Sequence, residues 1–209
     1  MQCIHIGLAL AMTVTGLLMP MAGAADQQQQ AAPQTSVEQE IGLWSLSCSV
    51  RGCFIFLEHS IAGDNTVEAG IDRKTKQPAV FGFITDGDAD QSKGITVTFA
   101  KTTTDTSRPE CIGGPDTPKP VDCYDIKLDA DSAFTLPFAD CSKGTCVARV
   151  MGQYAKNEKT GKSIDLLYYF LNANHAAFEY TDNKGNTRRR MIDLDGFQDV
   201  YDAALKEFQ

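Results

Sequence analysis

The segment Ile95-Thr96-Val97-Thr98-Phe99 alternates apolar and polar side chains without interruption. This period of two is typical of a β-strand that buries one face, because successive side chains of a strand point to opposite sides. Segments of similar length and composition recur at residues 43–48, 53–57, 67–71, 79–84, 124–128, 134–138 and 146–151. Turn-forming Gly, Asn, Asp and Pro separate them, for example at 86–88. The sequence therefore predicts a mainly β fold, built as an antiparallel β-sandwich-like domain.

Two segments closer to the C-terminal end predict helices. In the first, 163–172, Ser163 would be the N-cap and apolar residues fall on one face, although residues 168–170 suit a strand equally well. The second would begin at Asp195, with Gln198 three residues later in the spacing of a capping box. Its apolar side chains lie on a single stripe, formed by Phe197, Val200, Tyr201, Ala204, Leu205 and Phe208. We therefore expect a C-terminal helix and one further short helix.

The N-terminal segment has the pattern of a signal peptide. Residues 6–21 carry no charged side chain, and the small residues Ala22-Gly23-Ala24 follow as a cleavage pattern, although no Lys or Arg precedes the apolar run. A membrane anchor is the alternative, but this run of about 16 residues is shorter than the roughly 20 that a spanning helix needs. We therefore expect a signal peptide at 1–25, a disordered Gln- and Ala-rich linker at 26–40 and a single domain at 41–209. No integral membrane segment would remain after cleavage.

The cysteines point to an oxidising compartment. Of the seven, Cys3 would leave with the signal peptide, and an even number would remain, as in a disulfide framework. The remaining six are Cys48, Cys53, Cys111, Cys123, Cys141 and Cys146. They form three close pairs, and local pairing is the simplest of the connectivities that they allow. Zinc held by the two C-x4-C pairs is the alternative, which oxidation of the thiols disfavours.

The net charge of the chain and its motifs argue against several classes of function. The formal net charge of −8 repels a phosphate backbone, so nucleic acid is not expected as a partner. The mature chain would have two histidines, His59 and His175, neither in a metal-ligand spacing nor beside a recognisable nucleophile. Residues 86–90 begin like a calcium loop, but Gln91 and Val97 stand where that loop needs Gly and Glu, which favours a hairpin turn. We predict no enzyme activity, no cofactor and no metal site.

One dense basic run, Arg188-Arg189-Arg190, stands out in this acidic chain. It lies in the second arm of a predicted hairpin, 177–180 and 188–194 around 183–186. Alternation along a strand would put Arg188 and Arg190 on one face and Arg189 on the other. The run suits a solvated edge strand, where charge prevents edge-to-edge pairing. A docking site for an anionic partner surface such as lipopolysaccharide is the alternative, because clustered Arg side chains bind phosphate.

Four short motifs occur in a distinctive order along the chain. They are Trp-Ser-Leu-Ser-Cys at 44–48, Leu-Pro-Phe-Ala-Asp-Cys at 136–141, Gly-Thr-Cys-Val-Ala at 144–148 and Ile-Asp-Leu-Asp-Gly-Phe at 192–197. In their order and spacing, residues 41–208 resemble the invasion-associated locus B family of exported proteobacterial proteins. The resemblance implies a mainly β fold with a packed C-terminal helix, and it favours a helix at 163–172. It implies no catalytic or binding residues. The chain departs from the family pattern in its cysteine-bearing loop at 102–122, and in Asp195, where a serine or small polar residue is expected.

The resemblance also bears on function. The family is named for a role in host-cell entry by pathogenic members, while many members are ordinary periplasmic proteins of non-pathogens. We therefore expect a non-enzymatic envelope protein of the periplasm, or one that is outer-membrane associated or secreted, which binds a protein or a surface glycan. A periplasmic small-molecule-binding or enzyme-inhibitor module, such as a lysozyme-inhibitor-like β-protein, is the alternative. A hydrolase is the least supported hypothesis, since no buried polar triad is visible in the sequence.

Overall fold

The computed structural model describes residues 37–57, 65–104, 124–142 and 144–209, and most of them lie in antiparallel strands. The strands are β1 (Val37–Ile41), β2 (Trp44–Cys48), β3 (Gly52–Leu57), β4 (Thr66–Asp72), β5 (Pro78–Asp86), β6 (Ile95–Thr104), β7 (Tyr124–Leu128), β8 (Phe134–Leu136), β9 (Phe138–Ser142), β10 (Thr145–Met151), β11 (Tyr154–Lys156), β12 (Ser163–Asp165), β13 (His175–Thr181) and β14 (Thr187–Asp193). The helices are α1 (Leu166–Asn172) and α2 (Phe197–Lys206). The predicted signal peptide, His59 and the pair Cys111 and Cys123 lie outside the described residues.

The larger sheet has seven strands in the order β1-β2-β3-β4-β5-β10-β9. Every neighbouring pair is antiparallel. Alternation along β3 separates its two faces, because Cys53, Ile55 and Leu57 are buried whereas Phe54 and Phe56 are exposed. We call the buried side of this sheet its inner face and the opposite side its outer face.

The smaller sheet has the order β14-β13-β6-β7, and β8 also pairs with β6. The alternating segment 95–99 of β6 lies at its centre, with Ile95, Val97 and Phe99 fully buried. The two sheets meet through aromatic rings, since Phe83 of β5 lies 5.6 Å from Phe134 of β8 and 5.8 Å from Phe178 of β13. The predicted mainly β, antiparallel sandwich-like fold is therefore confirmed.

Both predicted helices form, but each begins later than predicted. Ser163 belongs to β12 instead of capping α1, and the side chain of Asp165 accepts the capping hydrogen bond from the Tyr168 N–H. At α2 the N-cap is Gly196, in a left-handed conformation with φ 85° and no side-chain cap. The predicted capping role of Asp195 is wrong, because its side chain bonds instead to the amide of Asn174.

Three predicted boundaries also change. The predicted linker reached residue 40, yet β1 begins at Val37 and pairs with β2 along its whole length. The predicted cysteine-bearing loop at 102–122 begins too early, since β6 continues to Thr104. The predicted strand at 134–138 is two strands, because Pro137, which has no N–H, divides it. The chain changes sheets there, from β8 beside β6 to β9 beside β10.

Two disulfides confirm the local pairing predicted for four of the cysteines. Cys48 is bonded to Cys53 and Cys141 to Cys146. Each bond joins directly opposite residues of two adjacent strands. Disulfides persist in oxidising surroundings, so the chain has the cysteine chemistry of an extracytoplasmic protein. Among the described residues, neither helix has the length and apolar composition needed to cross a membrane.

Candidate functional site

The predicted arginine run lies on β14, which is an edge strand that pairs with β13 alone among the described strands. Arg188 and Arg190 lie opposite Tyr180 and Phe178 on one face, and Arg189 lies opposite Glu179 on the other. This alternation is as predicted.

Each arginine faces a carboxylate. The Arg188 Nη2 lies 2.9 Å from the Oδ2 of the buried Asp182, and the Arg189 Nε lies 3.1 Å from the Oε2 of Glu179. The Arg190 Nη2 lies 3.8 Å from the Oδ2 of Asp86. These contacts spread the three guanidinium groups over two faces, each beside a negative charge. Binding of an anionic surface by this run stays a prediction.

The hairpin turn predicted at 86–90 is wrong, because the strands on either side of it, β5 and β6, belong to different sheets. The carboxylate side chains of 86–90 also diverge. The Oδ2 of Asp86 accepts a hydrogen bond from the Tyr180 hydroxyl at 3.2 Å, while Asp90 bonds to Ser92. Burial, together with the neighbouring Asp86 charge, raises the pKa of Tyr180 to about 12. Within the described part of the chain, no group of three or more His, Cys, Asp or Glu side chains has the geometry to hold a metal ion.

The outer face of the larger sheet carries two cross-strand rows that run over six strands. The apolar row is Glu38, Ser47, Phe54, Gly70, Val80 and Met151, each directly opposite the next. The charged row beside it is Glu40, Ser45, Phe56, Glu68, Gly82 and Arg149. We call the two rows together the outer-face patch.

A glycine at the middle of each row lets larger side chains lie flat on the sheet. In the charged row, the Glu68 side chain crosses Gly82, and its Oε1 lies 3.3 Å from the Arg149 Nε. A Cβ at Gly82 would lie 2.3 Å from that side chain, so only glycine leaves room for this crossing. In the apolar row, a Cβ at Gly70 would lie 2.8 Å from the Val80 Cγ1 and 3.3 Å from the Phe54 ring.

Aromatic and aliphatic side chains remain exposed on this patch. Phe54 is 40% exposed, Phe56 36% and Met151 76%. The helix α2 packs on the other side of the sheet, where the Cys53 Sγ lies 3.8 Å from the Ala204 carbonyl oxygen. Outward positions of an antiparallel sheet are ordinarily polar, so this apolar exposure is unusual.

Two shallow grooves border the exposed phenylalanines and meet at Ser47. The first, of about 500 Å³, is lined by Glu38, Glu40, Ser45 and Phe56 among others. The second, of about 400 Å³, extends over Phe54, Gly70 and Val80 towards the turns at the ends of β2 and β4. The outer-face patch is therefore grooved, with an apolar centre and an acidic end.

Sequence reasoning missed this patch. It recognised 53–57 as a strand, but an uninterrupted apolar run is typical of a strand buried on both faces. The sequence signal that could have identified the exposed side is the cysteine pair. Cys48 and Cys53 are buried on the inner face, so the residues that alternate with Cys53 must point outwards.

Comparison of the chain with models of protein families, with curated proteins and with solved structures finds no match.

Proposed function

We propose that this chain is an exported, non-catalytic binding protein of the bacterial envelope that docks a protein partner on its outer-face patch. The resemblance of residues 41–208 to the invasion-associated locus B family supports this assignment, as do the signal-peptide pattern at 1–25 and the two disulfides. The compartment is the periplasm, with outer-membrane association or secretion as the alternatives. A role in host-cell interaction or invasion would follow from exposure of the patch at the cell surface.

The exposure of Phe54 and Phe56 side by side on one sheet face, with Met151 exposed in the same row beyond Gly70 and Val80, is the observation that carries the proposal. Exposure of large apolar side chains to water is unfavourable, and covering them with a partner lowers the free energy. Phenylalanine and methionine are also among the residues enriched in protein interfaces. A protein surface with apolar side chains is therefore the occupant that fits this centre.

The charges of the patch further indicate what kind of partner surface would bind it. Glu38 and Glu40 line the acidic end of the patch, while Glu68 is already paired with Arg149. The whole chain carries a formal net charge of −8. Complementary potential accelerates association and excludes like-charged partners, so the fitting partner surface carries Lys or Arg beside its apolar side chains.

The test is in-cell crosslinking from a photoreactive residue placed at position 151, followed by titration of the captured protein against the purified, oxidised chain. The binding variant is F54S/F56S, and the control is Tyr154→Ser, which removes a more exposed aromatic side chain from β11. We expect one saturable partner whose affinity falls at least about tenfold in F54S/F56S and is unchanged in the control. Association should also slow as salt is raised.

Three outcomes would overturn the proposal. Equal binding by F54S/F56S would place the interface elsewhere, and the absence of a saturable partner from both envelope and host-cell extracts would contradict a docking role. Binding of a glycan that is lost in the same variant would keep the patch but replace a protein partner by a glycan. Circular dichroism of both variants must match the parent chain before any of these results is interpreted.

A further inference from the structure

A further, smaller pocket lies on the smaller sheet, at the part of β6 and β7 that extends past the buried core. Phe99 is buried, but Lys101, which follows on the same face of β6, is exposed. The opening there has a volume of about 300 Å³. We call it the β6–β7 notch, and its walls include Phe99, Leu128, Tyr169 and Ala173.

The floor of the notch is apolar and held in place. The Tyr169 ring stacks on Phe99 with 4.9 Å between ring centroids and 11° between the planes. The Tyr169 hydroxyl donates to the Oδ2 of Asp129 at 3.0 Å, and the Oδ1 of Asp129 accepts the N–H of Asp131 at 3.0 Å. Burial and the bond to Asp129 raise the pKa of Tyr169 to about 12, so this hydroxyl stays a neutral donor. The carboxylate of Asp129 is therefore engaged by the protein on both oxygens.

Two lysines form the rim of the notch. Lys101 of β6 and Lys127 of β7 are directly opposite in the antiparallel register, so their side chains point to the same face. Like charges at directly opposite positions destabilise a sheet. Neither lysine forms an ion pair with another residue of the described ranges. An anion bound between the two ammonium groups would remove this repulsion.

We infer that the β6–β7 notch binds a small amphipathic monoanion, with its carboxylate between Lys101 and Lys127 and its apolar tail on Tyr169 and Ala173. The volume lies at the lower end of the range for ligand pockets, which suits a short tail. A single negative charge is favoured over a more highly charged head group, because Asp129 also lines the notch. The notch is lined by none of the residues of the outer-face patch, so failure of this inference leaves the proposed function standing, and the reverse also holds.

The test is titration calorimetry of the oxidised chain with octanoate, beside 1-octanol as the neutral ligand of equal length. We expect one octanoate per chain and octanol binding that is weaker by at least about tenfold, the effect of losing hydrogen bonds from charged donors. The variant K101Q/K127Q should lose octanoate affinity by a similar factor. The control K74Q/K184Q removes two exposed lysines from turns and should bind like the parent.

A second measurement protects the inference from variants that fold poorly. Amide chemical shifts of the parent chain should move in 99–103, 127–130 and 169–173 when octanoate is added, and should stay constant along β3. Absence of saturable octanoate binding, equal affinity for octanol, or shifts confined to other segments would each overturn the inference.

Discussion

The indole Nε1 of Trp44 donates a hydrogen bond of 2.9 Å to the backbone carbonyl oxygen of Asp195. This bond joins β2 to the turn before α2, across the inner face of the larger sheet. The Trp44 ring also packs edge-on against Phe197, with 5.2 Å between centroids, and is 1% exposed. The direction in which α2 leaves the smaller sheet therefore depends on one side chain near the start of the domain.

We expect Trp44→Phe to lower the free energy of unfolding by about 1–3 kcal/mol, because the Asp195 carbonyl loses its donor and the smaller ring leaves a void. Urea unfolding followed by far-ultraviolet circular dichroism would measure this, since the variant has no tryptophan fluorescence. Tyr168→Phe, at an exposed position of α1, is the control and should be neutral. A Trp44→Phe chain as stable as the parent would show that the bond does not hold α2.

Two glycines should respond very differently to alanine. Gly94 has φ 74°, and a Cβ there would lie 2.2 Å from the Leu136 carbonyl oxygen, which is backbone and cannot move alone. Gly94→Ala should therefore cost about 2 kcal/mol or more. The atoms nearest to a Cβ at Gly82 all belong to the Glu68 side chain, and the partly exposed ion pair with Arg149 that Gly82→Ala breaks contributes about 1 kcal/mol.

Urea midpoints of the two glycine variants, measured in parallel, test this contrast. Loss of stability in Gly82→Ala as large as in Gly94→Ala would mean that the charged row of the outer-face patch stabilises the sheet. We expect the substitution at Gly82 to alter partner binding and leave folding nearly unchanged.

The two described disulfides close loops of equal length, since each joins residues five apart in sequence. Loop closure alone predicts a loss of about 2 kcal/mol for either C48A/C53A or C141A/C146A. Cys48 and Cys53 are both buried in the core, whereas Cys141 is only partly buried. C48A/C53A should therefore be the less stable variant, and thermal unfolding of both under oxidising conditions measures the difference. Equal losses would show that loop closure is the only contribution.

Acid should destabilise the hairpin of β13 and β14 through Asp182. The backbone N–H of Asn186 is the main cause that lowers the pKa of Asp182 from 3.8 to about 2, with the Asn186 side chain, the Lys184 N–H and the Arg188 charge contributing. Because the pKa is lower in the folded state, the ionised carboxylate stabilises the fold. This stabilisation is complete above about pH 5 and is lost as the pH falls towards 2.

Unfolding of the parent and of Asp182→Asn at a series of pH values would test this. The variant should be less stable at pH 6, and the difference should shrink between about pH 4 and pH 2. Asp193→Asn, on the same hairpin, is the matched control. A difference that stays constant with pH would contradict the assigned role of Asp182.

Local sequence patterns predicted most of the strands, because the alternation of apolar and polar side chains that marks a strand is contained in its own residues. The predicted strand at 124–128 coincides with β7, and the predicted hairpin at 177–194 is β13 and β14. The errors occur where a contact with a residue distant in sequence determines the local structure. Asp195 has capping chemistry, but Trp44 binds its carbonyl and Gly196 takes the N-cap position.

The mainly β class, the two helices and the two described disulfides were predictable from the amino-acid sequence, because each depends on residues close together in the chain. Which residues share a surface followed from the packing of the strands into sheets. Glu68 lies beside Arg149, and Lys101 lies opposite Lys127, through the register of strands that are far apart in sequence. Register follows from the packing of buried faces against each other, and a shift by one residue would turn every outward side chain inwards. For that reason neither the outer-face patch nor the β6–β7 notch could be recognised before the sheets were assembled.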